Sequence, residues 1–168
     1  MHAVGEGLRQ GGQELDDETA KALQTQKVQA MQILANVMKA ESKQRKGNDA
    51  FKNGDYALAI QKYTQALGKL GNENLDTDSA RATRLACLTN RAACALKSSP
   101  ADLESCAEDC TEALKLDEGN VKALFRRGTA FAAMGMPVPA QVDLEAAAKL
   151  KPEDKGIQKA LTNLNRES

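Results

Sequence analysis

The chain has 168 residues, enough for one domain with an arm; 42% of them are hydrophobic, only 3% aromatic, and there is no Trp. A core without large rings is built from Ala, Leu, Val, Ile and Met, which suits closely packed helices better than a sheet. The 23 basic residues cancel the 23 acidic ones, against a general nucleic-acid binder, and one His (His2) with four Cys but no CxxC pair gives neither a catalytic set nor a zinc site. No enzyme activity, cofactor or metal is expected. No run of 18 apolar residues and no signal-peptide pattern is found, so the default compartment is the cytoplasm and no membrane partner is expected.

Residues 1–16, opening "MHAVGEGLRQGGQE", are Gly-rich and are expected to be flexible. "GEGLRQGG" follows no strand and is too weak for a phosphate loop. Residues 17–39 place Leu23, Met31, Leu34, Val37 and Met38 in an amphipathic pattern that predicts a helical extension, which can run on into the helix that follows. It reads as a capping helix; a dimer contact, or a linker from an upstream domain, are the alternatives.

From Gly47 onward the chain repeats. Gly47 is followed after 12 residues by Ala59 and after 7 more by Ala66; Gly128 is followed by Ala140 and Ala147 at the same intervals. The middle unit runs Ala92, Cys106, Ala113, with a turn two residues longer at "SSPA". A small residue recurring at three positions marks two antiparallel helices that cross closely, and in the first unit "NGD" breaks the chain between them. Tyr56, Ile60 and Tyr63 supply the apolar stripe of the second helix there. From Ala113 to Ala147 is 34 residues, and two helices per 34 residues is the pattern of a helical solenoid in which each unit packs on its neighbours. Residues 155–168 carry Ile157, Ala160, Leu161 and Leu164 on one face and predict a polar capping helix. The Cys fall in Ala-rich helices, with Cys106 and Cys110 one turn apart, and read as core.

Gly47, Ala59, Ala66, Ala92, Ala113, Gly128, Ala140, Ala147 and Pro152 together resemble the tetratricopeptide repeat, over residues 40–154. The resemblance implies an all-α, right-handed superhelical solenoid of three helix-turn-helix repeats, at about 40–73, 85–120 and 121–154, with a C-terminal capping helix and the N-terminal extension. It also implies that the first helix (A) of each repeat lines a concave face. About 11 extra residues around "NENLDTDSARA" are similar to the longer first B helix of immunophilins. The chain carries no prolyl-isomerase domain and can be a piece excised from a longer protein.

Charge then becomes informative. In "KALFRRGTAF" Lys122 and Arg126 share a helix face, a like-charge pair that costs a few tenths of a kcal/mol, and Arg127 follows with no acid between Val121 and Met136. The preceding A helix has Arg81, Arg84, Arg91 and Lys97, while acids crowd the B helix after it. This segregation predicts a basic inner groove that attracts an acidic ligand. Within the family, the resemblance is to the carboxylate clamp of co-chaperones, which binds the EEVD-type C-terminus of cytosolic heat-shock chaperones of the seventy- or ninety-kilodalton class. On that resemblance Asn48 and Asn90 stand at the clamp's two Asn positions, Lys122 and Arg126 at its last two cationic ones, and Lys97 at an auxiliary basic one. On that resemblance a ligand's terminal carboxylate and an Asp side chain would sit between the cations of residues 122 and 126. Gln44 stands where the clamp has its first Lys; Lys43 and Arg45 are each about 100° round the helix from it. The peptide-binding set is therefore Asn48, Asn90, Lys122, Arg126, Lys97 and Gln44.

Two other binding modes are weighed. A scaffold that grips an internal protein motif, without a terminal carboxylate, is favoured by Gln44. RNA on the basic inner face is opposed by the scarcity of stacking aromatics and the zero net charge, so no nucleic-acid partner is expected.

Overall fold

The computed structural model describes residues 16–71 and 77–167. Its contacts divide the chain, between Gln32 and Ile33, into two compact units. The stretch 1–15 lies outside the described residues. Within the first unit, residues 16–32 belong to helix α1 (Asp17–Lys52) apart from Asp16 itself, and every one is exposed. Asp16 caps that helix, its Oδ1 accepting from the Thr19 N–H at 2.7 Å.

The regular structure of the second unit is all helical among its described residues. The C-terminal part of α1 is followed by α2 (Tyr56–Leu70), α3 (Asp78–Lys97), α4 (Leu103–Leu116), α5 (Val121–Ala133), α6 (Pro137–Leu150) and α7 (Lys155–Glu167). Three antiparallel pairs result: the end of α1 with α2, α3 with α4, and α5 with α6. Each packs on the next, and α7 closes the stack against α6 and α5. Short polar residues start the helices, because the first turn has N–H groups with no partner inside the helix. Asp55 caps α2, Thr77 caps α3, Asp102 caps α4 and Asn120 caps α5, each accepting from the backbone N–H three residues on at 2.9–3.1 Å. Pro137 opens α6, where its missing N–H removes nothing.

The small residues have a measurable cause. A Cβ on Gly47 would stand 2.6 Å from Cε1 of Tyr63, and one on Gly128 would stand 2.9 Å from Cγ of Leu144. Each glycine therefore lets an A helix touch the large side chain of its own B helix. Seven residues on, Gly54 and Gly135 turn the chain with φ of +77° and +72°, a region that L side chains occupy only with strain. Ala59, Ala66, Ala92, Ala113, Ala140 and Ala147 are completely buried at the crossings. So are the thiols of Cys87, Cys94, Cys106 and Cys110, which act as small apolar side chains. Ile157 and Leu164 of α7 are buried, at 2% and 6% exposure.

Of the extra residues after the first pair, 72–76 lie outside the described residues, and the rest do not lengthen the first B helix as the sequence implies. α2 has 15 residues, hardly longer than α4 and α6 at 14 each, and ends at Gly71. Instead α3 is long, 20 residues against 13 in α5, because the Thr77 cap starts it early and no breaker interrupts the run to Lys97. Among the described residues no helix is long and apolar enough to cross a membrane.

Candidate functional site

α1, α3 and α5 bring Asn48, Asn90 and Arg126 to one cavity of about 250 Å³, whose other walls are Phe51, Lys52, Tyr63 and Ala93. Tyr63 projects from α2 and is 1% exposed. Its hydroxyl donates to Oδ1 of Asn48 at 2.8 Å, and Nδ2 of Asn90 donates to the same oxygen at 3.2 Å. Both bonds fall on the Asn48 oxygen, so the amide is oriented and its Nδ2 donors are left for a ligand. Burial pushes the Tyr63 phenol up to about 12, so at neutral pH it keeps the proton that makes this bond. The ring wall is fixed too: Phe51 meets Tyr56 edge-on, with centroids 5.6 Å apart.

Arg126 is half-buried and its Nη1 donates to the Thr89 carbonyl of α3. Burial lowers its pKa below the ordinary value, yet a guanidinium starts so high that it remains a cation. No wall residue of this cavity is acidic. A second cavity, of about 280 Å³, has Asp102, Glu108 and Asp109 in its walls with Arg91, and so offers an anion no comparable field.

The remaining residues singled out in the sequence are distributed differently. Gln44 is half-buried one turn before Asn48 and is not a wall of the cavity. Lys122, one turn before Arg126, and Lys97, at the end of α3, are both exposed and outside its walls. Lys52 does line it. Its signal was present in the spacing, since Lys52 follows Asn48 by four residues and shares its helix face.

The expected basic inner face needs correction. Arg91 is held by Asp109 through Nε at 2.8 Å and Nη2 at 2.6 Å, and its Nη1 reaches Thr64 at 2.9 Å. Arg127 repeats this on Asp143, at 2.7 and 2.8 Å, with Nη1 on Thr111 at 3.1 Å. Asp109 and Asp143 are 6% and 3% exposed. In each case an A-helix guanidinium bridges the acid of its own B helix and the hydroxyl of the preceding one. These two cations hold adjacent repeats together, and the groove charge comes from others. The acids lie 16 to 18 residues away in sequence, which is why the local run looked uncompensated.

The thiols of Cys87 and Cys94 keep their protons. Burial pushes Cys87 up to about 12 and Cys94 up to about 11, so both remain thiols. Among the described residues no group of three His, Cys, Asp or Glu side chains is placed to hold a metal ion.

No protein-family model matches the chain. Outer envelope protein 61 of Arabidopsis thaliana is 32% identical over 133 residues, covering 79% of this chain and 23% of that protein. The second TPR domain of human RPAP3, solved with the HSP70 peptide SGPTIEEVD, is 32% identical with a TM-score of 0.65, covering 77% of this chain and 98% of that domain. The myosin chaperone UNC-45 from C. elegans, solved in complex with an Hsp90 peptide, is 41% identical with a TM-score of 0.67, covering 76% of this chain but 13% of that one. The chain thus spans a minor part of the full-length proteins it matches and nearly the whole of an isolated repeat domain.

Proposed function

Since the chain belongs to the tetratricopeptide-repeat family of protein-interaction modules, we propose that it is a non-enzymatic co-chaperone module that grips the acidic C-terminus of a cytosolic heat-shock chaperone. The observation that carries this reading is the convergence of Asn48, Asn90 and Arg126, from three successive A helices, on a cavity with no acidic wall. A peptide ending in EEVD presents four carboxylates, one of them at the chain end. Two amides offer N–H donors to a carboxylate without competing charge, and Arg126 can grip one through charge-assisted bonds. Lys122, exposed one turn away, extends the positive field towards solvent, and Lys97 adds to it along α3. The partners assigned to two similar domains, an HSP70 peptide and an Hsp90 peptide, support the ligand class.

The test is calorimetric titration with a peptide ending in MEEVD, as free acid and as C-terminal amide. Micromolar binding of the acid that falls at least tenfold with the amide supports the clamp. Arg126→Ala and Lys122→Ala are each expected to weaken the acid at least tenfold, as loss of a charge-assisted bond implies, with helicity unchanged. Equal binding of acid and amide would refute it. That result belongs to the second reading, a scaffold for an internal protein motif, which the neutral Gln44 favours.

A further inference from the structure

Gln44 leaves the first A helix of the proposed clamp without its usual cation, and neither Lys43 nor Arg45 lines the cavity. Lys52 does. It is exposed, lies one turn beyond Asn48, and takes part in none of the ion pairs among the described residues. Asp49 and Asp55 are its acidic neighbours in sequence, and neither is within ion-pair distance of it.

We propose that Lys52 is a specificity-determining residue of this site: it supplies the cation that Gln44 does not, at the other end of the Asn48 face. This rests on the reading of the cavity as a carboxylate clamp. The geometry gives the move a consequence. Gln44, Asn48 and Lys52 are spaced by four, so each is turned about 40° from the last, and the span from Gln44 to Lys52 is about 12 Å along α1. An extended peptide advances about 3.3 Å per residue. For a ligand that runs along α1, a carboxylate that meets Lys52 is three to four residues away from one that would meet a cation at position 44. The acidic peptide selected by this chain carries its acids in a shifted register. An alternative role for Lys52 is local, as the cation in the last turn of α1 facing the helix dipole. That role predicts a small loss of stability and no dependence on the ligand's acids.

The experiment measures binding of Lys52→Gln to the MEEVD free acid and to a set of peptides in which one Glu or Asp at a time is replaced by Gln or Asn. Lys46→Gln, exposed on α1 and away from the cavity, controls for net charge. The expected result is a loss of about tenfold for Lys52→Gln on the parent peptide, none for Lys46→Gln, and disappearance of the Lys52 effect for one particular amide peptide. Restoration by Lys52→Arg is expected as well. Equal effects of the two Gln substitutions, or a Lys52 effect that persists on every peptide, would overturn the assignment. If Arg126→Ala and C-terminal amidation also leave binding unchanged, the clamp itself has failed. If they weaken it while Lys52→Gln does not, only the role of Lys52 has.

Discussion

Asp143→Asn separates the two roles open to the cations of α5, scaffold and ligand. The substitution keeps the side chain's shape and one acceptor, so it opens no cavity, but it removes the charge that holds Arg127. Asp143 is 3% exposed and takes two bonds from the guanidinium, at 2.7 and 2.8 Å. Removing one partner of a buried ion pair costs roughly 3–5 kcal/mol. The Arg127 side chain is 23% exposed and keeps Thr111, so water and that hydroxyl recover part of the loss. About 2–3 kcal/mol remains, which for a chain of this size lowers Tm by about 4–12 °C. Thermal unfolding followed by circular dichroism reads this directly. Binding of the acidic peptide to the folded variant is expected to stay within about twofold of the parent, because the Arg127 guanidinium sits between the repeats, against Thr111 and position 143. A Tm shift under about 2 °C would refute the structural role. A tenfold loss of affinity at a temperature where the variant is folded would return Arg127 to the ligand.

Gly47→Ala is expected to reduce stability and affinity together. Its Cβ would lie 2.6 and 2.8 Å from two ring carbons of Tyr63, and the ring is buried. Overpacking of this kind costs about 1–3 kcal/mol, and a displaced ring takes its hydroxyl away from Asn48; calorimetry and thermal unfolding test both. Gly68→Ala is the control: nothing lies within 4 Å of its Cβ, it is inside α2, and replacing a helical glycine with alanine is expected to stabilise by about 0.5–1 kcal/mol. Alkaline pH should unfold the chain. Tyr63, Cys87 and Cys94 acquire charge by losing a proton, and burial raises them from 10.0, 9.0 and 9.0 to about 12, 12 and 11. The unfolded chain thus gives up these protons first, so stability is complete below about pH 9 and declines as pH rises from there towards 12. A urea midpoint that is flat between pH 8 and pH 11 would contradict this.

The repeat was legible because close crossing is a strict requirement that recurs at each unit. Gly47 and Gly128 sit where a methyl group cannot, and no other constraint would place small residues at those intervals. The extra residues after the first pair were harder to place: their number could be counted, but whether they lengthen α2 or α3 depends on Gly71 ending one helix and Thr77 capping the next. Charge was the least legible property. "LTNRAA" and "LFRRG" look uncompensated in a local window, and only folding brings Asp109 and Asp143 within 3 Å of Arg91 and Arg127. Lys52 was readable from its spacing to Asn48, but a neutral Gln44 directs attention to the adjacent Lys43 and Arg45.

Adjacent residues with opposite duties explain how one short A helix both builds the solenoid and lines the cavity. Asn90 and Arg91 are neighbours, as are Arg126 and Arg127. A step of about 100° turns the first of each pair into the cavity and the second towards the B helix behind it. There Arg91 and Arg127 find buried carboxylates, and their charge is spent within the scaffold. The first pair breaks the pattern, with Asp49 following Asn48, and Asp49 is exposed. The guanidinium bridge needs a preceding B helix to reach back to, and among the described residues none precedes α1. The cations left near the cavity are Arg126 and Lys52 in its walls, with Lys122 and Lys97 outside them. On the proposed reading the charge a ligand meets can therefore be altered at those positions while the two ion pairs that join the repeats remain intact.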